Sequence, residues 1–297
     1  MVKILVIDDN PIDRHLIGGL LGQEEDLEIE FAHDGGQALA MLPESTPDLI
    51  VTDLQMPVVD GLELVKAVKR DYSNLPVVLI TSHGSEKTAI EALQHGAASY
   101  SPKSVLEKDL VRTVRQVLEL SQHLAASALT KNQPVPTNLA FVLENDLSLI
   151  GPLIEHLQHS MPAWSSRDQL QIGMAIDEAL VNAMHHGNLE VPADLRDGDD
   201  AEYYRQIQQR RQQSPYCDRK VRVQAEFSDQ HVCIQISDEG CGFDPADIPD
   251  PTSPENVQKV GGRGLFLIRS FMSQVVHNQV GNQITFTKIR PTLASEE

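Results

Sequence analysis

Basic residues are scarce in this chain. Lysine and arginine together number 24 against 43 aspartates and glutamates, a formal charge of −19 over 297 residues. That surplus repels a phosphate backbone and argues against nucleic-acid binding. Cysteine is equally sparse. Cys217, Cys233 and Cys241 form no C-x-x-C pair, which disfavours a disulfide framework or a zinc site and fits a reducing cytosol. Long hydrophobic runs are missing too, since none nears the ~20 residues that cross a bilayer. The N-terminal run Ile4-Leu5-Val6-Ile7 stops at Asp8-Asp9, too soon for a signal peptide. A cytoplasmic protein with no membrane segment is the expectation. What is present suffices for two cores, because 41% of the residues are hydrophobic at this length.

Residues 1–120 alternate short apolar runs with amphipathic stretches. Strands are predicted at 3–7, 28–32, 49–52, 77–81 and 99–100, and helices between them at 11–21, 35–42 and 86–95, among others. This α/β alternation predicts a parallel, doubly wound sheet with its site at the carboxyl ends of the strands. Leu106, Leu110, Val114, Val117, Leu118, Leu124 and Ala128 keep a helical spacing. The helix at 105–129 is therefore read either as a frayed tether or as a seam for a homodimer. A break at Asn132-Gln-Pro-Val-Pro136 sets a linker at 121–137.

From 138 to 291 the order changes. A strand at 139–143 precedes helices near 147–160 and 168–186, then a polar insertion at 189–220. Paired strands at 221–227 and 232–237, a glycine-rich region, a helix at 264–274 and a hairpin turning at Gly281-Asn282 follow. Helices set apart from a mostly antiparallel sheet make this half α+β.

In the first half, Asp8-Asp9 and Asp53 end the first and third strands, Thr81 ends the fourth, and Lys103 follows the fifth. Three carboxylates brought together repel, and a divalent cation relieves the repulsion; an all-oxygen set with room for water suits Mg²⁺. Asp53 is then a nucleophile for a phosphoryl group, with Lys103 and the Thr81 hydroxyl as partners of its oxygens.

The segments Val6-Ile7-Asp8-Asp9-Asn10, Val51-Thr52-Asp53-Leu54-Gln55-Met56-Pro57, Asp60-Gly61, Thr81-Ser82 and Pro102-Lys103 resemble the receiver domain of two-component response regulators. That resemblance implies a flavodoxin-like fold and makes Asp53 the phosphoacceptor. It implies Mg²⁺ binding by Asp8, Asp9, Asp53 and the Gln55 carbonyl, and it matches Tyr100 to an aromatic that moves inward when Thr81 engages the phosphoryl group. Ser104 stands where the family usually has a proline. The implied phosphodonor is a cognate sensor histidine kinase or a phosphotransfer protein.

Three segments carry chemistry in the second half. Asp177-Glu178-Ala-Leu-Val-Asn182-Ala-Met-His-His186-Gly187 lies on a helix opened by the capping-box-like Ser165-x-x-Asp168. Glu178, Asn182 and His186 share a stripe, in which an amide oxygen of Asn182 suits Mg²⁺ and Glu178 suits a general base. Asp238-Glu-Gly240-Cys-Gly242-Phe243 follows a strand. Its carboxylate can accept from an exocyclic amine such as adenine's, and its glycines let backbone approach a flat ring. Gly261-Gly262-Arg263-Gly264 opens a helix, a setting for phosphates, with Arg263 a charge-assisted donor. Each alone reads equally as a polar helix face or a tight turn; the three in this order point to a nucleotide site.

Together they resemble the GHKL ATPase superfamily over about 139–290, and more narrowly its anti-sigma-factor serine kinases, implying an α+β sandwich. The resemblance implies ATP held at adenine by Asp238, Mg²⁺ held by Asn182, Glu178 as catalytic base, and a mobile lid at 245–259. The insertion at 189–220 is long for that family. The expected activity is an ATP-dependent protein serine/threonine kinase under receiver control. Its expected partner is a STAS-like anti-sigma antagonist or a sigma factor. The rival is a non-enzymatic module that sequesters such a partner in an ATP-dependent way.

Overall fold

The computed structural model describes residues 1–82, 85–127, 138–161, 164–193, 195 and 200–245, and 263–290. These divide into two compact units, the first on Met1–His123 and the second on residues 138–245 and 264–290.

The first unit runs β1 (Val2–Ile7), α1 (Pro11–Leu21), β2 (Leu27–Ala32), α2 (Gly35–Met41), β3 (Leu49–Asp53), α3 (Gly61–Asp71), β4 (Val77–Thr81), α4 (Glu86–Gln94), β5 (Ser99–Pro102) and α5 (Leu106–Ser127). All neighbours pair in parallel, in the order β2-β1-β3-β4-β5. Every residue of β3 and β4 is buried, as expected of central strands with helices on both faces. Local signals start the helices: Asn10 caps α1 with Pro11 in its first turn, Asp34 caps α2, and Asp60 with Glu63 forms a capping box on α3. A Cβ on Gly61 would come 2.5 Å from the Asp53 carbonyl oxygen, so only glycine lets α3 begin against the end of β3.

The first part of the stripe on α5 belongs to the core of the first unit. Leu106, Leu110, Val114, Val117 and Leu118 are all buried, Leu110, Val114 and Val117 completely. These five pack inside their own unit; the Leu124 side chain, Ala128 and Leu129 lie outside the described residues. Leu110→Asp is therefore expected to unfold the first unit, at a cost above about 4 kcal/mol. Chemical denaturation followed by far-UV circular dichroism checks this, and a folded variant with an altered solution mass would assign Leu110 to the seam instead.

The second unit contains β6 (Asn138–Leu143), α6 (Ile150–His159), α7 (Ser166–Val181), a π-helical turn (Asn182–Asn188), α8 (Asp200–Arg210), β7 (Val221–Phe227), β8 (His231–Ser237), α9 (Arg263–Phe271), β9 (Gln274–His277) and β10 (Gln283–Ile289). Its sheet is antiparallel throughout, in the order β6-β7-β8-β10-β9. Along β7, buried Val221, Val223, Ala225 and Phe227 alternate with exposed Arg222, Gln224 and Glu226. One face therefore meets the core, where Ile154, Ile172, Ile176, Phe266 and Ile268 are buried. Buried Lys288 on β10 donates to Gln171 Oε1 on α7 at 2.8 Å and to the Phe271 carbonyl at the end of α9 at 3.1 Å, tying both helices to the sheet.

One feature departs from the sequence reading and another adds to it. The helix carrying Glu178 does not stay α-helical to residue 186, because π-type hydrogen bonding begins at Asn182. Such turns occur frequently at functional sites. The insertion at 189–220 is polar but not structureless. It contains α8 and a small core of Leu189, Val191, Tyr203 and Ile207, with Leu195 and Tyr216 packed against it.

Candidate functional site

At the carboxyl ends of the parallel strands, Asp8 and Asp53 are buried and Asp9 is exposed. Each offers a carboxylate oxygen, and the three atoms lie within 4.8 Å of one another. This is the region beside β1 where the strand order reverses, the usual ligand crevice of such sheets. Burial pushes the Asp53 carboxyl up to about 6, with Lys103 opposing the shift and Asp8 adding to it. Burial also raises Asp8, against the pull of a hydrogen bond from the Asn10 N–H. Thr81 Oγ1 is buried with no hydrogen-bond partner, and Asp53 Oδ1 has no hydrogen bond beyond its ion pair with Lys103. A crowded all-oxygen set with unsatisfied atoms fits a divalent cation together with an incoming oxyanion.

Lys103 opens a short 3₁₀ turn after β5 and reaches the pocket with serine, not proline, following it. Its Nζ lies 3.2 Å from Asp8 Oδ2 and 3.4 Å from Asp53 Oδ1. Its shortest contact is one the sequence motifs omit, Asp13 Oδ2 at 2.7 Å. Burial alone would lower the lysine pKa, but the bond to Asp13 and the charges of Asp53 and Asp8 raise it above the ordinary range. The only sequence signal for Asp13 is an acid in the first turn of a helix that springs directly from Asp8-Asp9. Tyr100 is completely buried on β5, and Gln55 is exposed in the loop after β3.

In the second unit the three segments meet through glycines. A Cβ on Gly264, at the start of α9, would sit 2.7 Å from Glu178 Oε2 and 3.4 Å from Asn182 Nδ2. A Cβ on Gly187 would sit 2.4 Å from the carboxylate carbon of Asp238, and one on Gly240 would sit 2.2 Å from the Gly187 carbonyl oxygen. Gly242 and Gly281 have φ of +72° and +79°, and their backbones press against Val280 and Phe243, conformations that L side chains resist. Glu178 is 5% exposed, and its Oε1 has no hydrogen-bond partner. Burial raises the Asp238 carboxyl to about 6, moderated by the Gly240 N–H that donates to its Oδ1 at 2.9 Å. His186 donates from Nδ1 to the Val191 carbonyl at 2.6 Å, so it is committed at least partly to the insertion. Gly261, Gly262, the Arg263 side chain and most of 245–259 lie outside the described residues.

The family model for the response regulator receiver domain matches residues 4–115, and that for the histidine kinase-like ATPase domain matches residues 154–288. The chain joins a receiver domain to a histidine kinase-like ATPase domain of the GHKL type. A protein-glutamate methylesterase/protein-glutamine glutaminase from Trichodesmium erythraeum is 30% identical over 186 residues, 54% of this chain and 53% of that protein. The transcriptional regulatory protein CpxR of Escherichia coli is 34% identical over 152 residues, 51% of this chain and 62% of that one. This chain thus spans 53% and 62% of those curated relatives. The crystal structure of the receiver domain of NtrX from Brucella abortus is 34% identical, covers 39% of this chain and 98% of its own, and has a TM-score of 0.38. No helix among the described residues is long and apolar enough to cross a membrane.

Proposed function

We propose that phosphorylation of Asp53 controls an ATP- and Mg²⁺-dependent protein kinase formed by the second unit, which phosphorylates a serine or threonine hydroxyl of a partner protein. The supporting observation is the meeting of Gly264 with Glu178 and Asn182, which brings a helix N-terminus, an amide and a buried carboxylate whose other oxygen has no hydrogen-bond partner to one point. Domain limits of 1–120, a linker at 121–137 and 138–291 belong to this reading.

In the receiver, an Asp53 carboxylate oxygen attacks the phosphorus of a phosphohistidine on a sensor kinase or phosphotransfer protein. The new O–P bond makes an acyl phosphate, the N–P bond breaks, and the imidazole leaves. Mg²⁺ held by Asp8, Asp9, Asp53 and the Gln55 carbonyl would neutralise charge on the carboxylates and the phosphoryl oxygens. Lys103 and the Thr81 hydroxyl take the remaining oxygens.

In the kinase unit, Glu178 accepts the proton of the attacking hydroxyl; the hydroxyl oxygen bonds to the γ-phosphorus while the bridging bond to the β-phosphate breaks and ADP leaves. Asn182 offers its amide oxygen to the metal, and Asp238 accepts from the adenine amine. The Gly261–Gly264 segment and Arg263 would hold the phosphates. Catalysis is then positioning and charge stabilisation. The partner of this reading is a STAS-like anti-sigma antagonist or a sigma factor. Transfer of label from γ-labelled ATP to the partner, with and without receiver phosphorylation, tests it. ATP binding without any transfer would leave the sequestering role instead.

A pH dependence follows from Asp238. Its carboxyl titrates near 6 in the folded protein, so the acceptor form dominates at pH 7–8 and is lost as pH falls through 6. ATP affinity is expected to rise from pH 5 to 7 and then level off, and Asp238→Asn should flatten the profile. The linked stability runs the opposite way. A carboxyl raised above its unfolded value contributes stability below that value, and the contribution is lost as pH rises through 6. Titration calorimetry across the range, with melting curves alongside, separates the two.

A further inference from the structure

The insertion at 189–220 is wired by hydrogen bonds into the loop that carries Asp238. Asn188, completely buried, ends the π-helical turn and accepts from the Glu239 N–H through its Oδ1 at 2.7 Å. Its Nδ2 donates to Asn145 Oδ1 at 2.8 Å. The amide orientation is therefore forced, because one side requires an acceptor and the other a donor. Asn145 in turn donates through Nδ2 to the carbonyls of Tyr216 and Arg219, at 3.0 and 3.1 Å. On the other side, the Asp238 N–H donates to the Asn282 carbonyl at 3.0 Å. The loop hangs between these two attachments.

Arg219 closes the insertion on its own start. Its Nη1 donates to the Asn188 carbonyl at 2.7 Å and pairs with Glu190 Oε1 at 2.9 Å. Its guanidinium lies 5.1 Å from the centre of the Tyr216 ring, and that of Arg210 lies at the same distance from that ring. Arg210 Nη1 also donates to the Leu189 carbonyl at 2.7 Å. A second attachment runs through the small core: Tyr203 OH is 2.9 Å from Nδ1 of buried His185, three residues beyond Asn182. The insertion thus grips the nucleotide motifs at two points, next to Asn182 and next to Asp238.

We infer that the insertion positions the adenine-recognition loop, with Arg219 the positioning residue that acts on Asp238 through Asn188 and Glu239. This rests on the nucleotide reading of the site given above. In this reading Arg219 is a positioning residue and holds no part of the nucleotide itself. Its effect is to hold the Asn188 carbonyl, and so the amide that holds the loop. A loosened loop leaves the Asp238 carboxylate free to miss the exocyclic amine, while the metal- and phosphate-binding groups on the π-helical turn and α9 stay where they are. The predicted signature is a loss of base selectivity rather than a general loss of binding.

The test compares Mg·ATP with Mg·ITP, whose base has a carbonyl in place of the amine, on the full chain by titration calorimetry. Arg219→Ala should weaken ATP binding about tenfold, the loss of one charge-assisted hydrogen bond, and leave ITP binding unchanged. Arg219→Lys, which keeps the charge but not the fork, should fall between. Unchanged ATP affinity in Arg219→Ala, or an equal loss for both nucleotides in either variant, overturns the inference. The nucleotide reading has a separate readout. If wild type binds ATP no better than ITP, or Asp238→Asn keeps the wild-type preference, that reading fails before Arg219 is considered.

Discussion

Asp53→Asn is expected to abolish phosphorylation of the receiver by a small phosphodonor such as acetyl phosphate in Mg²⁺. Of the three clustered carboxylates, Asp8 and Asp53 are buried and Asp53 is the one that ends β3, with Thr81 Oγ1 buried and unsatisfied at the end of β4. An amide keeps the shape and size of the side chain but is a poor nucleophile, so chemistry is lost while packing is kept. The fold should survive, because replacing one of three crowded carboxylates relieves repulsion, and Lys103 still has Asp8 and Asp13. Phos-tag electrophoresis or intact mass after treatment reads the modification directly. Undiminished labelling in a folded Asp53→Asn variant would move the phosphoacceptor elsewhere. Asp9, the exposed member of the cluster, is the first alternative.

The receiver site was legible in the sequence because a parallel sheet converts local signals into a shared place. Asp8-Asp9, Asp53, Thr81 and Lys103 each stand at the carboxyl end of a strand or just beyond it, and topology alone gathers strand ends. Asp13 was not legible for the same reason reversed. An acid in the first turn of a helix is favoured by the helix dipole whatever it faces, and only the packing of α1 turns it toward Lys103. The stripe on α5 shows what periodicity omits. Leu110, Val114 and Val117 would be spaced identically whether they met their own core or another molecule. Their complete burial settles which. The insertion hid its core for want of apolar residues, since Tyr203 and Ile207 are the only buried side chains described on α8. The glycines of the second unit were readable as motif letters but not as contacts. Gly187 and Gly264 are small because Asp238 and Glu178 lie where a Cβ would go.

The kinase assignment turns on Glu178, and Glu178→Gln is expected to separate binding from chemistry. Loss of a general base typically lowers the rate by about 10²–10⁴-fold, so phosphotransfer to the partner should fall by that order, while Mg·ATP affinity stays near the wild-type value. The physical ground is the position of the side chain. It is nearly buried, one oxygen stands against Gly264 and the other has no partner, an arrangement costly to the fold unless something is to be accepted there. Asn182→Ala should give the converse result, a weaker Mg·ATP complex from the loss of a metal ligand, with Mg²⁺ titration as the readout. The two variants bear on neighbouring side chains one helical turn apart, so a general collapse of the pocket would weaken ATP binding in both. Glu178→Gln that binds ATP and still transfers phosphate at the wild-type rate would remove the base from the mechanism. ATP binding by the wild type with no transfer to any candidate antagonist or sigma factor would leave Asp53 controlling a nucleotide-shaped docking surface in place of a kinase.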